Sequence, residues 1–330
     1  MMETAENENA GRKIMDGYEL DAGDGRTHIT FDAFDTRVGI CAYGEKDACT
    51  YGLMRAYEDC MEYERLFSRT RTGSDVSRIN EAQGAWVEVD ERTAELIEAA
   101  HAYCAASHGA FDITIGTASR LWDLKRSIIP DKHVLDEAMQ HVDWHGVHVE
   151  HGDGMARVRL EDPRAMIDLG GIAKGWIADA LDCLLARTGV CGYVIDLGGN
   201  ILVRGDKPDG SPWTVGLPDP ACGPGARERM KPVGTIRIAS GSVVTSGVYE
   251  RARMCDGVLY HHVLDPKTGM PIAVEHPAVS VVCEHSIDAE GFSTTLLALG
   301  IEKSRELAAE HPEILQAYFI SWDGNVHPLR

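Results

Sequence analysis

Two glycine pairs divide the middle of this 330-residue chain into a strand, a helix and a second strand. The apolar residues of 165–169 predict a short strand that ends at Gly170-Gly171, and residues 174–187 then predict a helix. The apolar stretch 193–197 stops at Gly198-Gly199 and predicts a buried strand. Because strand and helix patterns alternate within one stretch of chain, the fold is predicted to mix α and β elements.

The rest of the chain extends this alternation. Residues 1–27 are polar and acidic and predict a flexible N-terminal arm, whereas 28–330 predict one domain, which could contain two closely packed subdomains. Further helices are predicted at 48–66, 93–107 and 289–299. Strands are predicted at 28–43, 213–217, 233–238 and 279–283, with a turn-rich segment at 68–80, a surface loop at 218–232 and a closing hairpin at 318–324.

Charge and cysteine content exclude some classes of partner and compartment. The chain has 52 acidic and 32 basic residues, a formal net charge of −20, which argues against nucleic acid or an anionic membrane as a partner. Its nine cysteines form no CxxC pair and predict free thiols in a reducing compartment. With neither a signal-peptide pattern nor a membrane-spanning run, we expect a cytoplasmic protein without membrane insertion.

The segment 260–269 places two histidines before a tight turn. Histidine is the side chain best suited to move protons near neutral pH. The sequence Asp265-Pro266-Lys267-Thr268-Gly269 that follows is a strong turn signal. A histidine at such a turn can serve as a base, but it can equally end a strand, and Asp265 can orient that histidine or fix the turn.

Residues 168–175 combine a glycine pair with a lysine at a helix start. Paired glycines allow close approach to a ligand, the helix N-terminus can bind phosphate, and Lys174 adds a charge. Asp168 could accept hydrogen bonds from a sugar or a ring N–H. The spacing matches neither the dinucleotide fingerprint nor the P-loop, and a simple glycine turn with Lys174 in solvent is an equal alternative.

Several further positions have competing interpretations. Glu290 and Thr294 share one helix face and suit Mg²⁺, although an acid in a first helical turn is also favoured by the helix dipole, and the sequence alone favours that second interpretation. Asp112 could cap a turn or bind a ligand. Ser246 is not surrounded by the Gly-x-Ser-x-Gly turn that presents a nucleophilic serine, so it is interpreted as a ligand-contact or structural residue. The histidines between 133 and 151 are interpreted as solvated surface rather than as metal ligands.

In this order the segments resemble the ApbE family of FAD:protein FMN transferases, from about residue 30 to the C-terminus. The segments that carry the resemblance are Phe67-Ser68 with 74–80 (SDVSRIN), 109–112 (GAFD), 168–175 (DLGGIAKG), 246–249 (SGVY) and 262–269 (HVLDPKTG). The resemblance implies an α+β, T-fold-like architecture in which antiparallel sheets are flanked by helices.

The resemblance also implies an activity. Family members use Mg²⁺ to cleave the FAD pyrophosphate and attach FMN through a phosphoester to a threonine or serine of an acceptor flavoprotein, releasing AMP. A FAD pyrophosphatase that yields FMN and AMP, and a non-catalytic flavin-binding protein, are the alternatives. The resemblance makes His262 the catalytic residue, and it places the metal on the Gly171 carbonyl, Glu290 and Thr294. It places FAD against Ala110, Phe111, Asp112, Asp168, Lys174 and Val263.

This chain departs from the family pattern at three places. Glu290 stands where the family usually has aspartate, so the longer side chain must retract to hold a metal. Phe34-Asp35-Thr36 replaces the usual Met-Gly-Thr, and Phe34 could pack on the flavin or the adenine. Many bacterial members are exported lipoproteins, whereas this chain shows no such leader, which leads us to expect a cytoplasmic acceptor.

Overall fold

The computed structural model describes residues 12–15, 17–23, 25–152, 154–205, 207–222 and 231–330. In chain order, the described strands are β1 (Arg12–Met15), β2 (Tyr18–Gly23), β3 (Arg26–Ala33), β4 (Thr36–Tyr43), β5 (Val87–Val89), β6 (Val147–His151), β7 (Ala156–Leu160), β8 (Gly192–Leu197), β9 (Asn200–Gly205), β10 (Trp213–Leu217), β11 (Gly234–Ile238), β12 (Gly241–Gly247), β13 (Ala252–Cys255), β14 (Val258–His261), β15 (Ala278–Cys283), β16 (Gln316–Ile320) and β17 (Val326–Pro328).

Within the described residues, ten of these strands form one large sheet in the order β1-β2-β3-β4-β8-β9-β12-β15-β16-β17. Every neighbouring pair in this sheet is antiparallel. A smaller sheet has the order β5-β7-β6, and β10-β11 and β13-β14 are separate antiparallel hairpins. Antiparallel sheets flanked by helices confirm the predicted α+β class.

The helices are α1 (Lys46–Phe67), α2 (Asp75–Glu81), α3 (Glu91–Ala106), α4 (Gly116–Ser119), α5 (Lys132–Met139), α6 (Ala173–Leu185) and α7 (Ser286–Glu310). In α7, Gly300 has a φ of 73° and interrupts the helix. Helices α1, α6 and α7 pack against the large sheet and against one another, with α6 between the other two. Among the described residues, no helix is long and apolar enough to cross a membrane.

The two faces of the large sheet are covered differently. Along β3, Ile29, Phe31 and Ala33 alternate with more exposed residues, as the two-residue period of a strand requires, and they belong to the main core. The other face is covered near β12, β15 and β16 by the β10-β11 hairpin, where Leu217 and Ile236 form a second apolar cluster with sheet residues. The helices α6 and α7 therefore lie on one face and can carry side chains to a common edge.

Most predicted elements are confirmed with shifted ends, including the helices at 48–66, 93–107, 174–187 and 289–299 and the strands at 193–197, 213–217, 233–238 and 279–283. The closing hairpin is also confirmed as β16-β17, with Gly324 at a φ of 79° in its turn. Of the predicted surface loop 218–232, residues 223–230 lie outside the described residues. Whether 28–330 is one domain stays a prediction.

The predicted strand at 165–169 is wrong. This segment is extended but pairs with side chains instead of a neighbouring strand. Asn80 Oδ1 accepts the Ile167 N–H at 2.7 Å, Asn80 Nδ2 donates to the Ile167 carbonyl at 3.0 Å, and Thr117 Oγ1 accepts the Met166 N–H at 2.8 Å. The backbone is thus satisfied without a ladder, which the apolar pattern could not reveal.

Two other segments also differ from prediction. The turn-rich segment 68–80 contains α2, because the Ser74 hydroxyl caps it by accepting the Ser77 N–H at 2.9 Å. The predicted strand 28–43 is a hairpin of β3 and β4. Its turn residues Phe34 and Asp35 have φ angles of 55° and 58°, a conformation that a phenylalanine rarely adopts and that sequence does not signal.

The predicted N-terminal arm at 1–27 is corrected in part. Strands β1 and β2 lie inside it, β3 begins within it at Arg26, and all three join the large sheet. Residues 1–11 lie outside the described residues.

Candidate active site

The N-terminal turn of α7 is fixed to α6. Asp179 of α6 accepts the N–H groups of Ser286 and Ile287 at 2.8 and 2.9 Å, which satisfies two of the free donors at that helix start. Gly175 lets the helices meet, since an added Cβ there would lie 2.7 Å from Glu290 Cβ, Ile287 Cα and the Ser286 carbonyl. Because these contacts fix where α6 and α7 cross, Glu290 lies beside the first turn of α6.

The Glu290 carboxylate has a partner on each oxygen. Its Oε1 forms an ion pair with Lys174 Nζ, and its Oε2 accepts a hydrogen bond from Asn200 Nδ2 at 2.6 Å. Only 5 % of Glu290 is exposed, so its charge is balanced mainly by these two groups. Asn200 is the first residue of β9, directly after the Gly198-Gly199 pair.

A group of hydroxyls lies next to this carboxylate. Ser246 Oγ, at the end of β12, is 2.8 Å from Ser293 Oγ and 3.2 Å from Thr294 Oγ1. Ser293 in turn donates to the Glu290 carbonyl at 3.0 Å. Ser246 thus bonds to hydroxyls of α7, and one of them, Thr294, lies one helical turn after Glu290.

His262 follows β14 and borders the same region. Its N–H donates to the Arg251 carbonyl at 3.2 Å. The residue is exposed at the surface, with protein atoms around it. Reduced hydration there, with smaller effects of the Arg251 and Lys174 charges, lowers the pKa of His262. At neutral pH the imidazole is uncharged and can accept a proton.

The turn after His262 is held rigidly. Asp265 Oδ1 accepts the Lys267 N–H at 2.9 Å and its Oδ2 accepts the Thr268 hydroxyl at 3.2 Å, so Asp265 fixes the turn. The Trp122 indole donates to the Gly269 carbonyl at 3.2 Å and ties the turn to the segment after α4.

His261 and Val263 brace the base of that turn. His261 is buried, and its Nε2 donates to the Ile272 carbonyl at 3.1 Å. The Ile272 N–H donates to the Val263 carbonyl at 3.1 Å. These contacts give His261 the structural role expected of it.

The glycine turn before α6 is lined by predicted ligand residues. Asp168 Oδ2 pairs with Arg69 Nε at 2.9 Å, and its Oδ1 accepts the Gly170 N–H at 2.9 Å. An added Cβ on Gly171 would lie 2.9 Å from the Phe111 ring, so Phe111 packs directly against this glycine. Asp168, Gly171 and Phe111 are thus together, one turn before Lys174.

Asp112 acts as a cap. Its Oδ1 accepts the N–H and the hydroxyl of Thr114 at 2.7 and 2.6 Å, at the start of the 3-10 turn Ile113–Ile115. Burial raises the pKa of Asp112. Ala110 is partly exposed beside Phe111, and its N–H donates to the Ser107 carbonyl at 3.1 Å.

Phe34 lies in the β3-β4 turn, where its N–H donates to Glu64 Oε1 at 3.2 Å. The next residue, Asp35, is 3.9 Å from an Arg251 guanidinium nitrogen. This contact brings the hairpin tip toward the strand end that carries His262.

The histidines between 133 and 151 mostly pair with carboxylates. The pairs are His141 with Asp162, His145 with Asp143, His148 with Glu161, and His151 with Glu91 and Glu98. Among the described residues, no group of three or more histidine, cysteine, aspartate or glutamate side chains is arranged to hold a metal ion.

Sequence reasoning missed three contributors: Asn200, Arg69 and Arg251. Asn200 had a weak signal, a polar residue directly after a strand-ending glycine pair. The two arginines had none, because their partners are distant in sequence and are brought near only by the fold.

Comparisons with known proteins agree on one family. The family model described as "ApbE family" matches residues 34–319. A FAD:protein FMN transferase of Treponema pallidum is 36% identical over 279 residues, covering 80% of this chain and 75% of the relative. One of Klebsiella pneumoniae is 33% identical over 284 residues, covering 81% of each chain. A crystal structure of the ApbE protein from Thermotoga maritima superposes with a TM-score of 0.80 at 29% identity, covering 91% of this chain and 96% of that one.

Proposed function

Because the chain belongs to the ApbE family, we propose that it is a FAD:protein FMN transferase that cleaves the FAD pyrophosphate with Mg²⁺. FMN is attached through a phosphoester to a threonine or serine of an acceptor flavoprotein, and AMP is released. One observation carries this proposal. Lys174, at the start of α6, forms an ion pair with the buried carboxylate of Glu290, so a cation for phosphate and a carboxylate for a metal stand side by side.

The residues present fit Mg²⁺. This ion prefers oxygen ligands, takes few from the protein and completes its shell with phosphate and water. Glu290 supplies a buried carboxylate whose Oε1 already faces a cation, the Lys174 ammonium. We propose that Glu290, the Thr294 hydroxyl and the Gly171 carbonyl hold the metal. When bound, it would neutralise charge on the pyrophosphate oxygens.

The chain's own groups account for the proton and the leaving group. The acceptor hydroxyl oxygen forms a bond to the phosphorus of the FMN portion, and the bond from that phosphorus to the bridging oxygen breaks, leaving AMP. We assign His262 to take the hydroxyl proton, because its lowered pKa keeps it uncharged at neutral pH. Lys174, in the first turn of α6, would stabilise negative charge on the phosphates.

The flavin and adenine ends of FAD need surfaces on either side of this centre. Phe111 packs against Gly171, and Asp168 has its carboxylate at the same glycine turn. We propose that FAD contacts these two residues together with Phe34, Ala110, Asp112, Lys174 and Val263.

The compartment is also a proposal. The nine cysteines, all within the described residues, are free thiols, and Cys183, Cys191 and Cys222 are exposed. Exposed thiols persist in a reducing environment. We therefore propose a cytoplasmic enzyme that acts on a cytoplasmic flavoprotein.

The test uses the full chain with FAD, Mg²⁺ and a flavoprotein domain that the Klebsiella pneumoniae relative modifies. We expect the acceptor to gain the mass of one FMN while AMP appears in equal amount. His262→Ala should abolish the gain, whereas His133→Ala, on an exposed helical position, should not. AMP release at a rate that the acceptor does not change would indicate a FAD pyrophosphatase. Full activity of His262→Ala would reject the assignment of the base.

A further inference from the structure

The two oxygens of the Glu290 carboxylate are held by groups of different exposure. Oε2 accepts from Asn200, which is 1 % exposed, and Oε1 pairs with Lys174, whose side chain is 23 % exposed. This asymmetry distinguishes a fixed partner from one that can leave.

The Asn200 amide is locked in one orientation. Its Oδ1 accepts the Ser286 hydroxyl at 2.7 Å while its Nδ2 donates to Glu290. Ser286 is fully buried, and the Ser242 hydroxyl lies 3.0 Å from it. Ser286 and Glu290 are four residues apart on α7, so one asparagine bridges two side chains of the same helix face. Only a side chain with an acceptor and a donor at its tip satisfies both.

Within the described part of the chain, Lys174 has no comparable support. It lies in the first turn of α6, and its long side chain ends where solvent can enter. A buried carboxylate needs a cation nearby, because an uncompensated buried charge is strongly destabilising. Lysine can supply that charge and can also swing away on its flexible stem.

We propose that Lys174 is an internal counter-ion that Mg²⁺ displaces from Glu290 Oε1, and that Asn200 is the positioning residue that keeps this oxygen aimed at the metal. The proposal rests on the magnesium site of the proposed function. Displacement frees the Lys174 ammonium for a phosphate of FAD, so the metal and FAD each favour the binding of the other. The extra methylene of Glu290, compared with aspartate, gives the reach that joins Asn200 on one side to Lys174 on the other.

The first experiment measures whether Mg²⁺ releases Lys174. The full chain is labelled with an amine-acetylating reagent, with and without Mg²⁺ and without FAD, and each lysine is followed by mass spectrometry. We expect Lys174 to label several-fold faster with Mg²⁺. Lys132, which pairs with Asp136 at 2.7 Å on an exposed surface, is the matched control and should not change. Labelling of Lys174 that is unchanged or slower with Mg²⁺ would overturn the displacement.

The second experiment measures metal affinity by calorimetry without FAD. Lys174→Met removes the competing cation and should tighten Mg²⁺ binding about fivefold, the value of a partly exposed ion pair of about 1 kcal/mol. Lys132→Met changes the net charge equally and should leave the affinity unchanged. Equal affinities of Lys174→Met and the wild type would contradict competition.

Asn200→Ala tests whether Asn200 positions the Glu290 carboxylate. It should weaken Mg²⁺ binding about tenfold, because a charge-assisted hydrogen bond that aims Oε1 is lost. FAD binding in EDTA, followed by flavin fluorescence, should stay within about twofold of the wild type, since Asn200 touches no proposed FAD contact except through Glu290. A parallel loss of both affinities would indicate a merely structural role. None of these measurements needs an acceptor or turnover, so they can succeed even where FMN transfer fails.

Discussion

The crossing of α6 and α7 at Gly175 makes a quantitative prediction for Gly175→Ala. The added methyl would lie 2.7 Å from Glu290 Cβ, Ile287 Cα and the Ser286 carbonyl, and two of those three atoms belong to backbone that cannot rotate away. Alanine in place of glycine should stabilise a helix by about 1 kcal/mol. Overpacking typically costs about 1–3 kcal/mol, and backbone neighbours place this site at the upper end. We expect a net loss of about 2 kcal/mol in the free energy of unfolding.

The same substitution should damage the site more than the fold. A shift of α7 by a few tenths of an ångström moves Glu290 away from both Lys174 and Asn200, so Mg²⁺-dependent FAD turnover should fall at least about tenfold. Thermal unfolding followed by circular dichroism should show a midpoint about 3 °C lower.

The matched control is Gly23→Ala in β2, where an added Cβ would meet no described atom within 4 Å. It should leave the unfolding midpoint and the turnover near those of the wild type. A Gly175→Ala variant that is at least as stable as the wild type, with unchanged turnover, would refute the close-contact argument. Helix propensity would then be the only effect of the substitution on stability.

Three other predictions concern the protonation of His262, the backbone segment held by Asn80, and the ion pair between Arg204 and Asp182. Because the pKa of His262 is lowered from 6.5, kcat/KM for FAD should stay level as the pH falls to 6.5 and should decline only below it. The stability contributed by the neutral ring should be lost over the same acidic range. A decline of kcat/KM centred above pH 6.5 would contradict the lowered pKa. Asn80→Ala removes both hydrogen bonds to Ile167 and loosens the segment before the glycine turn, so FAD binding in EDTA should weaken about fivefold. An unchanged affinity for FAD would show that this segment keeps its position without Asn80. Arg204→Met breaks the two hydrogen bonds to Asp182 and should cost about 1–2 kcal/mol of stability in urea titrations, with Mg²⁺ affinity unchanged; an altered metal affinity would place this pair in the site instead.

Much of the site could be predicted because its residues lie in short local patterns. Glycine pairs, a lysine at a helix start, and an acid four residues before a threonine are visible in sequence. Their order also carried the family resemblance. These patterns left open whether Lys174 lies in solvent and whether Glu290 only complements the helix dipole. The structure pairs the two side chains with each other, and their role in binding FAD and a metal stays a prediction.

The failures have a common physical cause. The segment 165–169 was predicted as a strand, but its backbone partners are the side chains of Asn80 and Thr117, which are remote in sequence. The Phe34 turn needs two residues in the left-handed region, which the surrounding strands impose against local preference. Long-range contacts decided both cases, and one sequence shows none of them.

The sequence by itself determined the class of elements, the positions of most helices and the residue types available for the chemistry, because these depend on periodicity and on side chains within one or two turns. Only the tertiary structure decided that the Glu290 carboxylate is shared between Lys174 and Asn200. Those three side chains lie on α7, α6 and β9, and the burial of one helix pair against one sheet brings them close enough to interact.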